Sequence, residues 1–177
     1  ATAEEAGAVL STLGKLGRLS GVTKSPEFVR QFTKFWLPMG KDVVVIGGSL
    51  VGLELAEFLA ERGRKVTLLH ETQQLGLPLA MPRRWTAVKD SKEHGVKIHR
   101  NVKITRITEK TVEWIEGEQS FSAPASMVVY ADGTTSAAPL ADELRAADIS
   151  CDVVGDAGAV NYIHGAIHSS WKVSTEL

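Results

Sequence analysis

The chain has 177 residues, 44% of them hydrophobic and 23% charged, and its 20 Lys+Arg against 21 Asp+Glu leave a formal net charge of −1. That length accommodates one packed domain, or one domain with a short appendage, and the composition excludes disordered, collagen-like and low-complexity classes. No basic block stands out, so the electrostatic footprint of a nucleic-acid or anionic-membrane binder is missing.

Residues 1–40 read as a helical lead-in. Val9, Leu10, Leu13 and Leu16 recur at helical intervals and predict a helix over Ala3–Leu16. After the break at Gly21, Ser25-Pro26-Glu27 is a helix start, and Phe32, Phe35 and Trp36 give Phe28–Leu37 an apolar stripe suited to docking on a core, before Pro38 and Gly40 stop it. From Lys41 the pattern is strand Asp42–Ile46, a glycine turn, a helix from about Leu50 to Arg62 ended by Gly63, and strand Lys65–Leu69. This is a β–α–β unit whose apolar strands suit parallel pairing with both faces buried.

The loop Gly76–Pro82 leads to a helix from about Arg83 to Glu93, and Val96–His99 is a short strand after Gly95. The rhythm then changes. Val102, Ile104 and Ile107, then Val112 and Trp114, then Phe121 mark three short strands parted by Glu109-Lys110 and Glu116-Gly117, the pattern of an antiparallel meander. Ser126–Tyr130 and Asp152–Val154 read as strands returning to the parallel sheet, and Asn161–Lys172 as a closing helix.

The most informative stretch is Val43-Val44-Val45-Ile46-Gly47-Gly48-Ser49-Leu50-Val51-Gly52-Leu53-Glu54, because the glycines follow a strand and open a helix. Gly47 supplies the tight turn, Gly48 adds backbone freedom, and Gly52 permits close helix–strand approach. The helix N-terminus beginning at Leu50 offers free N–H groups and positive dipole to a pyrophosphate. Ser49 stands at the second glycine of G-x-G-x-x-G, where its Cβ weakens phosphate approach or its hydroxyl donates to it. The segment favours a dinucleotide; a purely structural turn and another nucleotide-like ligand, such as a methyl donor, stay open. A P-loop is excluded, since no Gly-Lys-Ser/Thr follows.

About 18 residues past Gly52, where a carboxylate binds the adenosine ribose or basic residues bind a 2′-phosphate, stand His70 and then Glu71, with no Arg before Arg83-Arg84. Glu71 repels a 2′-phosphate, so NADH is favoured over NADPH, while His70 is equally a phosphate partner and Arg83-Arg84 a solvated helix start. The lone Cys151 makes no internal disulfide, CxxC pair or four-thiolate cluster. His164 and His168 stand one helical turn apart without a third ligand, and no metal site is read from them. Neither Tyr-x-x-x-Lys nor G-x-S-x-G occurs, which leaves a short-chain dehydrogenase and a serine hydrolase unsupported. Trp36, Trp85, Trp114 and Trp171 are scattered without basic interleaving, against nucleic-acid stacking. No apolar run approaches the ~20 residues that span a bilayer, and no secretory leader is evident, so a cytoplasmic setting is expected. The chain opens at Ala1, consistent with a processed chain or a piece of a longer protein.

Four segments together resemble the two-dinucleotide-binding flavoproteins: Gly47–Glu54, the Val96 strand with its meander, Val128-Val129-Tyr130-Ala131-Asp132-Gly133, and Val153-Val154-Gly155-Asp156-Ala157 with Ala166-Ile167. Residues 41–177 are similar to the C-terminal part of the NADH:flavin oxidoreductases related to 2,4-dienoyl-CoA reductase and trimethylamine dehydrogenase. The resemblance implies an α/β, Rossmann-like three-layer fold with a central parallel sheet and an antiparallel β-meander. It implies an NAD(P)H-binding domain over 41–150 and a segment over 151–177 that closes an FAD domain. In that family electrons pass from nicotinamide to FAD, then through an iron–sulfur cluster to FMN on a separate barrel.

Carried over by position, Gly47, Gly48, Ser49, Leu50 and Gly52 hold the dinucleotide, and Glu54 lies near the nicotinamide as the residue closest to the chemistry. Asp132 and Gly133 occupy the Ala-Thr-Gly strand end, with Asp132 in place of Thr. Gly155 and Asp156 match the flavin-closing motif. The family's first glycine-rich turn, the barrel and the cluster cysteines are not in this sequence, so FAD and the FAD/FMN domains are expected as partners in a longer, intact protein. The rival expectation is a non-catalytic ADP-binding or assembly domain, kept open by Ser49 and Asp132.

Overall fold

The computed structural model describes residues 25–35 and 39–176. The helix expected over Ala3–Leu16 falls outside them, as do the side chains of Phe32, Phe35 and Trp36. Two compact units are present, divided between Asp132 and Gly133.

In the first unit, helix α1 (Pro26–Phe35) starts at the predicted Ser25-Pro26 signal. Strand β1 (Asp42–Ile46), helix α2 (Leu50–Glu61), strand β2 (Lys65–His70), helix α3 (Met81–Glu93) and strand β3 (Lys97–Arg100) then alternate. Strands β4 (Val102–Ile107), β5 (Thr111–Glu116) and β6 (Gln119–Pro124) form the antiparallel meander, and β7 (Met127–Tyr130) returns to the first sheet. The four-stranded sheet has the order β3-β2-β1-β7, parallel throughout, with Ile46 level with both Leu69 and Tyr130.

Three layers follow from the period-2 alternation of strand side chains. Val43 and Val45 of β1 and Val66 and Leu68 of β2 face α2 and α3, meeting Leu53, Ala56, Leu59 and Ala87. Val44, Ile46 and Leu69 face the other way and meet Val102, Val112, Trp114 and Ala123 of the meander. Strand β1 is buried on both faces, which is why it reads Val-Val-Val-Ile from Val43. Ser126 ties the starts of β7 and β1 together: its hydroxyl donates to the Asp42 carbonyl at 2.8 Å and its amide does the same at 2.8 Å.

The second unit contains helix α4 (Pro139–Ala146), a single 3₁₀ turn at Gly155–Ala157 and helix α5 (Tyr162–Glu176). Two differences from the sequence reading lie here. Asp152–Val154 is irregular rather than a strand, since a two-valine run becomes a strand only by pairing, and the parallel sheet ends at β7. Helix α4 was not anticipated, although Pro139 at its first position and Leu140 and Leu144 one turn apart signal it. In this unit the Gly155 amide donates to Ser169 Oγ at 2.9 Å, fastening the 3₁₀ turn to α5.

Candidate functional site

The chain leaves β1 for β2 on one side and returns as β7 on the other. The carboxyl ends of β1 and β7 are therefore a topological switch point, the crevice where open α/β sheets hold ligands. Gly47 leaves β1 there with φ +103, and a Cβ on it would collide with the backbone of Ala131 and Asp132, which leave β7. The Ala131 amide donates to the Ile46 carbonyl at 2.7 Å, locking the two strand ends together. A Cβ on Gly52 would enter the Gly47 carbonyl, so only glycine lets α2 sit this close to the end of β1. Gly47, Gly52 and Asp132 are thus brought together, as the sequence places them.

Helix α2 begins with Ser49 as its N-cap, in extended backbone and with its hydroxyl making no capping bond. The Leu50 amide donates to the Leu77 carbonyl at 2.9 Å. The amides of Val51 and Gly52 find no acceptor among the described residues. Two open amides, an uncommitted hydroxyl and the positive end of the helix dipole form a donor set that fits a pyrophosphate.

The candidates at the end of β2 part company. His70 is only 8% exposed, accepts the Gly48 amide on Nδ1 at 3.0 Å, and turns Nε2 to the Gln74 carbonyl at 3.0 Å and Thr72 Oγ1 at 3.0 Å. A neutral ring with its proton on Nε2 satisfies both backbone contacts. Glu71 is exposed. A groove of about 480 Å³ runs between the loop at Gln73–Leu75, the end of β3 and α3, lined by Arg84, Trp85, Lys89, Lys92 and Arg100. Within it Lys89 is paired with Glu93 at 3.5 Å. Arg84, read from sequence as part of a solvated helix start, lines this groove, and the cations that the sequence reading did not single out, Lys89, Lys92 and Arg100, come from α3 and β3, which only the fold brings together.

Glu54 is exposed on α2, without a hydrogen bond or ion pair among the described residues. Asp156 sits in the second unit, where its Oδ1 accepts the amides of Asn161 and Tyr162 at 2.9 and 2.8 Å. It caps the start of α5, and its other carboxylate oxygen is uncommitted among the described residues. His164 and His168 lie with ring centroids 4.4 Å apart.

One further cluster was invisible in sequence because it joins two helices. Glu57 and Glu61 of α2 approach His94, the C-cap of α3, at 3.7 and 3.9 Å. Burial and the neighbouring Asp90 raise the Glu57 pKa above the usual carboxylate range, against the lowering pull of His94. This trio lies at the end of α2 remote from the glycine turn.

Comparison with known proteins agrees with this geometry. The family model described as "Pyridine nucleotide-disulphide oxidoreductase" matches residues 6–160. An NADH oxidase of Thermoanaerobacter brockii is 30% identical over 171 residues, covering 90% of this chain and 26% of the relative. A bilirubin reductase of Mediterraneibacter gnavus is 36% identical over 97 residues, covering 55% of this chain and 15% of the relative. The chain therefore spans about a quarter or less of these curated relatives. Among solved structures, a 2-naphthoyl-CoA reductase complex superposes with TM-score 0.72 at 25% identity, covering 78% of this chain and 21% of that one. Histamine dehydrogenase from Rhizobium sp. 4-9 has the same fold, with TM-score 0.69 at 24% identity over 78% of this chain and 23% of its own. With most of its length matched by the family model and its glycine turn at the sheet's switch point, the chain belongs to the pyridine nucleotide-disulphide oxidoreductase family.

Proposed function

We propose that residues 41–150 bind NAD(P)H with its pyrophosphate at the N-terminus of α2, and that in a longer protein this domain delivers hydride to FAD. The observation that carries the reading is the meeting of the Gly47 turn with Ala131-Asp132 at the switch point, beside amides that have no acceptor among the described residues. In this proposal Ser49 Oγ and the Val51 and Gly52 amides hold phosphate oxygens, joined by the Leu50 amide when the Leu77 carbonyl gives it up, and Gly47 and Gly48 shape the turn. Asp132 and Gly133 border the nicotinamide side. Glu54, one turn into α2, approaches the nicotinamide end. The cofactor itself supplies the hydride chemistry; the chain binds, orients and excludes water.

Residues 151–177 close the flavin domain in this proposal, with Gly155 and the uncommitted oxygen of Asp156 turned to FAD, and the FAD/FMN domains are the partners. The setting is cytoplasmic. Glu71, exposed at the end of β2, supports NADH, because its carboxylate accepts the ribose hydroxyls and repels a 2′-phosphate. Arg84 and Arg100, in the groove that begins at Gln73, two residues beyond Glu71, support NADPH instead, and titration with both nucleotides decides. A second reading, an ADP-binding or assembly domain without redox work, is favoured by Ser49 and Asp132 at positions where the family carries Gly and Thr.

Calorimetric titration of the chain with NADH, NADPH, ADP and FAD tests these readings. Tighter binding of NADH or NADPH than of ADP is expected. Glu54→Ala should weaken only the nicotinamide forms, roughly three- to tenfold, the size of one charge-assisted contact. Equal ADP and NADH affinity, unmoved by Glu54→Ala, transfers the domain to the second reading. Absence of binding by every nucleotide overturns both.

A further inference from the structure

We propose that residues 74–78 form a strap that closes on the chain's own glycine turn and competes with a dinucleotide's pyrophosphate for the Leu50 amide, with His70 as the clasp. The proposal rests on reading that turn as the dinucleotide site.

A backbone N–H directs one strong hydrogen bond. The Leu50 amide belongs to the first residue of α2, on the donor set that a bound pyrophosphate draws on. Here it is spent on the Leu77 carbonyl at 2.9 Å, so carbonyl oxygen and phosphate oxygen require the same place. The strap is held to the turn at further points. The Gly76 amide donates to the Gly48 carbonyl at 2.7 Å. Leu75 is 4% exposed, and its Cδ2, with the base of His70, fills the space that a Cβ on Gly48 would take. The bare face of that glycine is therefore occupied by the protein itself.

His70 completes the closure, because its two ring nitrogens join the two sides. Nδ1 accepts the Gly48 amide of the turn, and Nε2 faces the Gln74 carbonyl of the strap, each at 3.0 Å. The outward side of the segment is uncovered: Thr72, Gln73, Gln74, Leu77 and Pro78 are exposed. A segment anchored along one face and bare on the other is placed to open by withdrawing a single side chain, Leu75, from the core cluster it shares with Leu53 and Leu68. His70 is thus a positioning residue that sets the closed fraction and touches no nucleotide.

The test follows the backbone amides of the ¹⁵N-labelled chain by NMR during an ADP titration, with calorimetric affinities for the wild type, His70→Ala and Leu75→Ala. On binding, the Leu50 amide should shift and the Gly76 amide should lose hydrogen-exchange protection. Both variants should bind ADP more tightly, by the inverse of the wild type's open fraction, roughly fivefold or more. A merely structural role for either side chain weakens binding, so the sign of the change decides. Leu75→Ala removes no hydrogen-bonding group from the turn or the strap and keeps the test available if His70→Ala does not fold. ADP binding with the Leu50 and Gly76 amides unmoved, or weaker binding by both folded variants, overturns the strap and leaves the site intact. Failure of ADP, NADH and NADPH to bind the wild type or either folded variant overturns the site reading itself. Binding by the variants alone supports the strap.

Discussion

His70 and Glu57 illustrate how far a residue's environment redirects its chemistry. From sequence, His70 is a ribose or phosphate partner at the end of β2; in the fold its ring nitrogens are engaged by Gly48 and Gln74, and the adjacent Glu71 is left facing solvent. The position was legible because a strand end lies at a fixed distance beyond a glycine turn. The orientation was not, because it depends on the loop at 72–76 folding back. Glu57 is a different case, with its raised pKa caused first by burial and then by Asp90. The folded state binds that proton more tightly than the unfolded chain. Ionised Glu57 therefore costs stability above its folded pKa, and the cost fades as pH falls towards the ordinary carboxylate value. Glu57→Gln should raise the urea midpoint at pH 7 and leave it nearly unchanged at pH 4. A midpoint lowered at pH 7 would instead show that the His94 contact outweighs desolvation.

At the scale of elements, periodicity carried the reading wherever burial is two-sided or helical. Strand β1 is observed at its predicted bounds, Asp42–Ile46, and α2 ends within one residue of its expected end, since Val-Val-Val-Ile and the glycines at both ends of the helix leave few alternatives. Helix α4 and the irregular 151–154 stretch escaped, because short segments lack enough repeats to express a period. The coupling between elements is testable at Leu53, fully buried where α2 meets the sheet. Leu53→Ala should lower unfolding free energy by about 2–5 kcal/mol, measured by urea denaturation. Because α2 begins at the glycine turn, the same variant should also weaken nucleotide binding.

For the molecule as a whole, the two units differ in how they are held. The first has core clusters on both faces of the parallel sheet. In the second, Ala141 is the one buried hydrophobic side chain among the described residues, and α5 buries none. Few buried contacts mean low-energy local opening. Hydrogen–deuterium exchange should therefore show peptides from 133–176 exchanging roughly tenfold or more faster than those of β1, β2 and α2; equal protection in both would show that the second unit is as strongly held as the first. None of the described helices is long and apolar enough to cross a membrane.

The layered α/β pattern and the place of the glycine turn between strand and helix were legible in residue order alone, being written locally, in two-residue and 3.6-residue periods and in glycines whose missing Cβ is a steric requirement. The family came from the resemblance carried by the order of four segments, Gly47–Glu54, the Val96 strand with its meander, 128–133 and 153–157. Which groups stay uncommitted at that turn depends on the folded chain. The fold spends the Gly48 and Leu50 amides on His70 and Leu77, leaves those of Val51 and Gly52 without an acceptor among the described residues, and gathers Arg84 and Arg100 into one groove. Hydrogen-bond partners and charge neighbours are set by loops that return from distant positions, and no local period encodes where such a loop comes to rest.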